Sequence, residues 1–347
     1  MKKFKKGLVV GSFCPFHKGH QYLIDTAREN CDKVYVLVCH VPEEPIEGEK
    51  RYQMVAEHYN YPNMEDSGVI VKSIDTSHLP QYESDCDTLD EFYGHWVPFV
   101  DEHASDIDSV FTSEDYGDDF GRYLGVEHYL VDKERTNYPI SGTEVRADLF
   151  GKWDMLPSTT RRIMQFKVVI LGTESTGKTT LTEKLTKHFT DKGITTKLTP
   201  EYGRYYVNNI LEGELDKKDF ETIASNHNIQ YRFPRFVGDI HQLAIVDTEA
   251  VITNAFGQLY LGEEFQSDKI DALINNQDFD KYILLDIDVP WVDDGTREFP
   301  HKRKVHMDLI KKNLKFYGID YELVSGNYDE RFKKTLKIIN EKLVLSK

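Results

Sequence analysis

The 347-residue chain predicts two α/β domains in tandem, each built on a parallel sheet. Three observations carry this. Short apolar runs alternate with helical patterns throughout, as strands and crossover helices do in parallel sheets. The alternation restarts at Phe166-Lys167-Val168-Val169-Ile170-Leu171-Gly172, near mid-chain. Each series opens with a strand that runs into a glycine-bearing turn. The length itself fits about two domains.

In the first series the strand candidates are GLVVGSF, KVYVLV, GVIVKSI, SVFTS and EHYLV. Helical patterns lie between them, for example Lys18 to Asn30 and around Glu49–Tyr59. A short helix near Thr143–Phe150, stopped by Gly151, closes the series. The stretch GKWDMLPSTTRRIMQ has weak periodicity and a proline, so a linker is expected at about 151–165. That sets the domains at 1–160 and 161–347. In the second series, TTKLT, LAIVDT and KYILLDID follow the opening strand, with DYELVS as a further candidate. A last helix, capped by Asn327, runs to about Ser346.

Composition narrows the function. With 39% hydrophobic and 29% charged residues the chain reads as an ordinary soluble globular protein. A formal net charge of −16 argues against nucleic acid as a partner. It also repels anionic substrates at long range, so any phosphate site must be locally basic or built from backbone N–H groups. Cys14, Cys31, Cys39 and Cys86 are irregularly spaced and form no CxxC pair, which fits free thiols in a reducing cytosol. The basic start MKKFKKG has no apolar region behind it, and no run is long enough to span a bilayer. The expectation is a cytoplasmic protein with no membrane partner.

The segment VILGTESTGKTT matches GxxxxGK[ST] with a strand before it and a helix after it. Gly172 and Gly177 let the backbone wrap a phosphate, and the helix from Lys178 adds its positive end. Lys178 reaches the outer phosphates of ATP and the Thr179 hydroxyl ligates Mg²⁺. Glu174, Ser175, Thr176 and Thr180 complete the ATP-binding set, with the Glu174 side chain expected to point away from the anion. Asp247, at the end of LAIVDT, is the second Mg²⁺ candidate. Glu201, in KLTPEYGRYY, is placed to orient or deprotonate an acceptor hydroxyl, with Tyr202 beside it on the substrate side. The loop DVPWVDDGTREFPHKRK reads as a lid whose Arg297 neutralises the transferring phosphoryl group. Each of these also has a plain alternative as a cap, a strand-end residue or a polar surface loop.

The first turn, VVGSFCPFHKGHQYLI, carries His17, Lys18, Gly19 and His20 at a strand-to-helix junction. Two imidazoles flanking Gly19 can donate hydrogen bonds to a triphosphate, and the glycine lets phosphate approach the backbone. In YPISGTEVRADLF, Ser141 and Thr143 start a helix and Arg146 lies one turn in. Hydroxyls there cap the helix, and Arg146 can bind phosphate oxygens bidentately.

Together these two elements resemble the HxGH nucleotidyltransferases, whose second signature is ISSTxxR; the middle serine is Gly142 here. The resemblance implies a Rossmann-like domain in which His20 steadies the α-phosphate and His17, Lys18 and Arg146 hold the triphosphate. Gly11 and Phe13 join that nucleotide-binding set. With the P-loop kinase behind it, and with EPIEGEKRY, FTSEDYGDDF, PEYGRYYV, VDTE and DVPWVDDGTR, nearly the whole chain resembles the NadR-type bifunctional proteins. The resemblance implies a rear domain that phosphorylates nicotinamide riboside with ATP. It implies a front domain that adenylates the product, nicotinamide mononucleotide (NMN), to NAD. Some relatives carry an N-terminal helix-turn-helix repressor domain; this chain opens at the transferase strand, so no DNA repression is implied. Residues Thr112–Tyr116, including Glu114 and Tyr116, with Trp96, are candidates for the NMN side. Trp96 and Trp291 can stack on a pyridinium, or simply pack, and Arg51 is a phosphate candidate or an ion-pair partner. Implied ligands are ATP, Mg²⁺, nicotinamide riboside, NMN and NAD, with a homo-oligomer left open. The alternatives are a coenzyme A synthase, which fuses the same two modules, and a nucleotide-sensing regulator.

Overall fold

A computed structural model describes residues 2–60, 67–232, 240–292 and 300–345. The chain divides into two compact units, one ending at Met164 and one spanning Gln165–Leu345.

The first unit runs β1 (Phe4–Gly11), α1 (Lys18–Asn30), β2 (Cys31–His40), α2 (Gly48–Tyr59), β3 (Val69–Asp75), α3 (Leu89–His103), β4 (Ser109–Thr112), α4 (Tyr116–Leu124), β5 (Glu127–Leu130), α5 (Gly142–Ala147) and α6 (Ser158–Met164). Its five strands are all parallel in the order β3-β2-β1-β4-β5. Alternate residues of one strand face opposite ways, and both faces are apolar. Val9, Val36 and Val38 pack with Ile24, Ala27 and Met54 from α1 and α2. Leu8, Leu37 and Val110 pack with Tyr93, Val100 and Phe120 from α3 and α4. The sheet is therefore covered by helices on both sides. Strand β1 has neighbours on both edges, and the crossovers from β1 and β4 leave a crevice beyond their C-terminal ends, where ligands bind in such sheets.

Two expectations are corrected. The segment expected as a linker is part of this unit. Trp153 is buried, the Thr159 hydroxyl donates to the Met54 carbonyl at 2.9 Å, and buried Thr160 donates to the Phe16 carbonyl at 2.8 Å. Its periodicity is weak because α6 has only seven residues. Helix α5 stops at Ala147 rather than Phe150, because Asp148 leaves helical geometry and its carboxylate accepts from the Gly151 N–H.

The second unit runs β6 (Phe166–Leu171), α7 (Lys178–Asp191), β7 (Thr196–Thr199), α8 (Tyr202–Asn209), α9 (Lys217–Arg232), β8 (Leu243–Asp247), α10 (Ala250–Leu261), α11 (Asp268–Asn275), β9 (Lys281–Leu285), α12 (Arg303–Phe316), β10 (Glu322–Val324) and α13 (Tyr328–Leu345). Its strands are also all parallel, ordered β10-β9-β6-β8-β7. The first strand, β6, sits in the middle, so the loop that follows it opens at the centre of the sheet's C-terminal edge. Asn327 caps α13, its side-chain Oδ1 accepting from the Asp329 and Glu330 N–H groups at 3.1 and 3.0 Å. Among the described residues no helix is long and apolar enough to cross a membrane.

Candidate active sites

In the first unit the HxGH turn folds as the cap of α1. The His17 Nδ1 accepts from the His20 N–H at 3.3 Å, and the two rings stack at 3.7 Å. An accepting Nδ1 requires the proton of a neutral ring to be on Nε2. Burial pushes the His17 pKa down to about 4, with the Arg135 guanidinium adding to the shift and Glu144 opposing it. His20 is also pushed well below its usual value, by burial first and then by His17 and Arg135. Both imidazoles are thus held neutral at pH 7, and a hydrogen bond of the His20 ring to the Pro15 backbone opposes its shift. Phe13 and Phe16 back the His20 ring at 5.0 and 6.4 Å. Phe13 itself is buried, with φ at 48°, and Lys18 stands at the first position of α1; neither lines the cavity in front of the histidines. The Phe13 side chain packs against the His20 ring.

That cavity, of about 270 Å³, has His17, Gly19 and His20 on one side and Ser141, Gly142, Thr143 and Arg146 on the other. Ser141 caps α5, accepting from the Glu144 N–H at 3.2 Å and donating to its carboxylate at 2.8 Å. Arg146 Nη1 donates to the Cys14 carbonyl at 2.5 Å and Nη2 to the Thr143 hydroxyl at 3.1 Å. This guanidinium ties α5 to the HxGH turn. Gly142 explains itself here: a Cβ would lie 2.8 Å from the Cys14 oxygen and 3.1 Å from Arg146 Nη1. The close approach of the two motifs excludes the serine of the ISSTxxR pattern.

A second cavity, of about 840 Å³, adjoins the first and shares Ser12, Ser113, Glu114 and Arg135 with it. Gly11, Trp96 and Tyr116 line it too. The Trp96 indole N–H donates to the Pro80 carbonyl at 3.0 Å and its ring packs on Phe92 and Phe99, so the residue both packs and borders the cavity. Of the two roles expected for Arg51, the structure shows the ion pair. It is fully buried, donates to the Ser12 carbonyl at 2.8 Å and to the Glu44 carboxylate at 2.6 Å, and lines neither cavity. Its charge is consumed beneath the β1–α1 loop.

In the second unit β6 runs into the loop 172–177. Gly177 (φ 81°) takes the left-handed conformation that glycine permits, and Ser175 (φ 58°) shares it. The buried Lys178 ammonium donates to the Thr173 carbonyl at 3.1 Å, and the Thr176 hydroxyl to the same oxygen at 2.8 Å. The Ser175 hydroxyl accepts from the Val292 N–H at 2.7 Å. Thr179 donates to Asp247 Oδ2 at 2.8 Å, so the two metal candidates meet. Asp247 is 1% exposed. Burial raises its carboxyl above the usual range, Lys178 and the hydroxyls pull it back, and Glu201 pushes it up. A hydroxyl and a carboxylate in contact are hard oxygen donors. They suit Mg²⁺, which takes one or two protein ligands and completes its shell with water and phosphate.

A cavity of about 550 Å³ is lined by Glu174 to Thr180 and, facing them, Glu201, Tyr202 and Arg204. Glu201 ends the turn into α8 and pairs with Arg204 at 3.9 Å. Glu174 borders this cavity. Trp291 does not: the Arg303 guanidinium lies 5.8 Å from its ring centroid, so a protein cation takes the place expected for a pyridinium. Arg297 lies outside the described residues.

Sequence reasoning missed four residues. Arg135 stands in the left-handed region (φ 51°) on the β5–α5 loop. Buried His227 lines the second unit's cavity. Arg331 is 1% exposed and donates to the Thr176 and Asp286 carbonyls, bracing the phosphate loop from behind. Arg303 donates to the Ser175 and Val289 carbonyls. The contacts of Arg303 and Arg331 with the phosphate loop are to carbonyls more than a hundred residues away, which no local pattern signals.

Comparison with known proteins agrees with this division. Residues 6–68 match the Citrate lyase ligase C-terminal domain family, and residues 167–331 the AAA domain family. The trifunctional NAD biosynthesis/regulator proteins NadR of Salmonella typhimurium and of Escherichia coli are each 29% identical over 355 aligned residues, covering 96% of this chain and 82% of the relative. Crystal structures of NadR protein, one in complex with NR and one with NAD and AMP-PNP, share the fold. They are 19% identical, with TM-scores of 0.65 and 0.64, over 98% of this chain and 96% of theirs.

Proposed function

We infer that this chain is a NadR-type bifunctional enzyme of NAD biosynthesis. Its second unit phosphorylates nicotinamide riboside with ATP, and its first unit transfers an adenylyl group from ATP to the resulting NMN. One observation supports the proposal: each of two separate units has a cavity lined by a motif suited to phosphate, the HxGH turn in one and the GxxxxGK[ST] loop in the other. Likeness along nearly the whole chain to proteins of NAD biosynthesis supports the pyridine substrates over those of a coenzyme A synthase.

In the kinase site the loop N–H groups and the α7 N-terminus receive the β- and γ-phosphates. Lys178 turns from the Thr173 carbonyl to the phosphates. Thr179 and Asp247 would hold Mg²⁺, which supplies charge neutralisation between phosphate oxygens. Glu201 takes the proton of the riboside 5′-hydroxyl as its oxygen bonds to the γ-phosphorus and ADP leaves. Arg297 is assigned to the lid on the same proposal.

In the transferase site His17, His20 and Arg146 surround the triphosphate, and the larger cavity with Trp96 and Tyr116 takes the mononucleotide. A phosphate oxygen of NMN bonds to the α-phosphorus, the bond to the bridging oxygen breaks, and pyrophosphate leaves. No protein proton transfer is needed, so the rate comes from positioning and from neutral N–H donors aimed at developing charge.

Two variants test the division. Lys178→Ala abolishes riboside phosphorylation and leaves adenylylation intact, and His20→Ala does the reverse. Loss of both activities from either single change, in a folded protein, contradicts the two-site proposal.

A further inference from the structure

We propose that Arg135 is a catalytic residue of the adenylyl transfer, bridging the phosphate of the incoming mononucleotide and the α-phosphate of ATP. The proposal rests on the transferase function inferred above and goes beyond its two sequence motifs.

Arg135 lines both the small cavity in front of the histidines and the large one beside Trp96. It therefore stands where the two substrates must meet. Its field reaches both rings, helping to hold His17 and His20 neutral. The loop is built to present it. Asp132 accepts from the Thr136 N–H and hydroxyl, both at 2.8 Å, and from the Asn137 N–H at 3.0 Å. The Arg135 N–H donates to the Asp132 carbonyl at 2.8 Å. This turn holds Arg135 at φ 51°, a conformation that non-glycine residues adopt at a cost and that clusters at functional sites. The guanidinium meets Glu114 at 3.4 Å, with 44% of the arginine side chain and 58% of the glutamate exposed. A long, exposed ion pair contributes little, so Arg135 can exchange Glu114 for phosphate oxygens at small cost.

The chemistry requires such a group. The attacking phosphate and the triphosphate are both anions and must come within bonding distance. The histidines, whose pKa values burial lowers, bring no charge, and Arg146 lines only the small cavity on the triphosphate side. A planar guanidinium can donate to two phosphates at once. As the new P–O bond forms and pyrophosphate departs, Arg135 stays between the two phosphates of the dinucleotide, with no proton transferred.

The test compares Arg135→Gln and Arg135→Lys in the full chain, assaying NMN adenylylation and, in the same preparation, riboside phosphorylation. We expect kcat/KM for adenylylation to fall about 100-fold in Arg135→Gln, about 2.7 kcal/mol, with the KM for NMN raised. Arg135→Lys recovers part of the loss, and phosphorylation stays within twofold of wild type. Adenylylation within threefold of wild type in Arg135→Gln overturns the proposal. If that variant also loses phosphorylation, the decision passes to Arg135→Ala with added ethylguanidinium: recovery of adenylylation supports the bridging role, and none overturns it. A wild-type chain that phosphorylates the riboside but never adenylates NMN overturns the transferase function itself, a result distinct from a normal Arg135→Gln.

Discussion

Replacing Gly142 by serine restores the residue of the ISSTxxR pattern, and pattern matching alone predicts a neutral or improved enzyme. The packing predicts damage. The added Cβ lies 2.8 Å from the Cys14 oxygen and 3.1 Å from Arg146 Nη1, both inside van der Waals distance. Neither neighbour is a free side-chain end: one is backbone of the HxGH turn, and the other is the donor of a 2.5 Å bond to it. Overpacking of this kind costs about 1–3 kcal/mol. Weakening a hydrogen bond from a charged group adds about 1.5–3 kcal/mol. Together, about 2.5–6 kcal/mol lowers the melting temperature by roughly 5–24 °C at about 2–4 °C per kcal/mol. Displacing Arg146 from its phosphate slows adenylylation by about 10- to 100-fold, by the same bond energy. Calorimetry and a pyrophosphate-release assay read the two effects, and riboside phosphorylation by the same sample is the control. A Gly142→Ser protein with wild-type melting and adenylylation refutes the close-packing argument.

Further outcomes follow from burial and charge. Arg51→Met removes a buried guanidinium and strands the Glu44 carboxylate and the Ser12 carbonyl, so denaturant titration should show a loss of about 3–5 kcal/mol; unchanged stability with a tenfold higher KM for NMN or ATP makes Arg51 a phosphate ligand instead. Acid destabilises the first unit through His17. Its folded pKa of about 4 lies below the usual 6.5, so the unfolded chain binds more protons between those values. That contribution is complete above pH 6.5 and is lost as pH falls towards 4, by up to about 3 kcal/mol. The difference in stability between wild type and His17→Gln should shift accordingly between pH 7.5 and 4.5, and a difference constant with pH contradicts it.

Much of the fold was legible in the sequence for physical reasons. Strands buried on both faces are continuous apolar runs, and all ten expected runs became strands. The phosphate loop was legible because its glycines, lysine and hydroxyl must be contiguous. The meeting of Thr179 with Asp247 followed from a strand-end carboxylate beside a loop on the neighbouring strand. What stayed hidden depends on packing between distant segments. Helix α6 looks like a linker because the partners of Thr159 and Thr160, Met54 and Phe16, lie more than a hundred residues away. The sequence left Arg51 between a phosphate ligand and an ion-pair partner, because Glu44 and the Ser12 carbonyl reach it only through the fold. Arg135 has no motif, and only the two cavities it borders single it out.

The most direct measurement gives the purified chain nicotinamide riboside as sole pyridine substrate, with ATP and Mg²⁺, and resolves the products over time. The account predicts NMN with ADP first, then NAD with pyrophosphate, from one protein. Riboside left unchanged, or NMN that accumulates without ever becoming NAD, contradicts it.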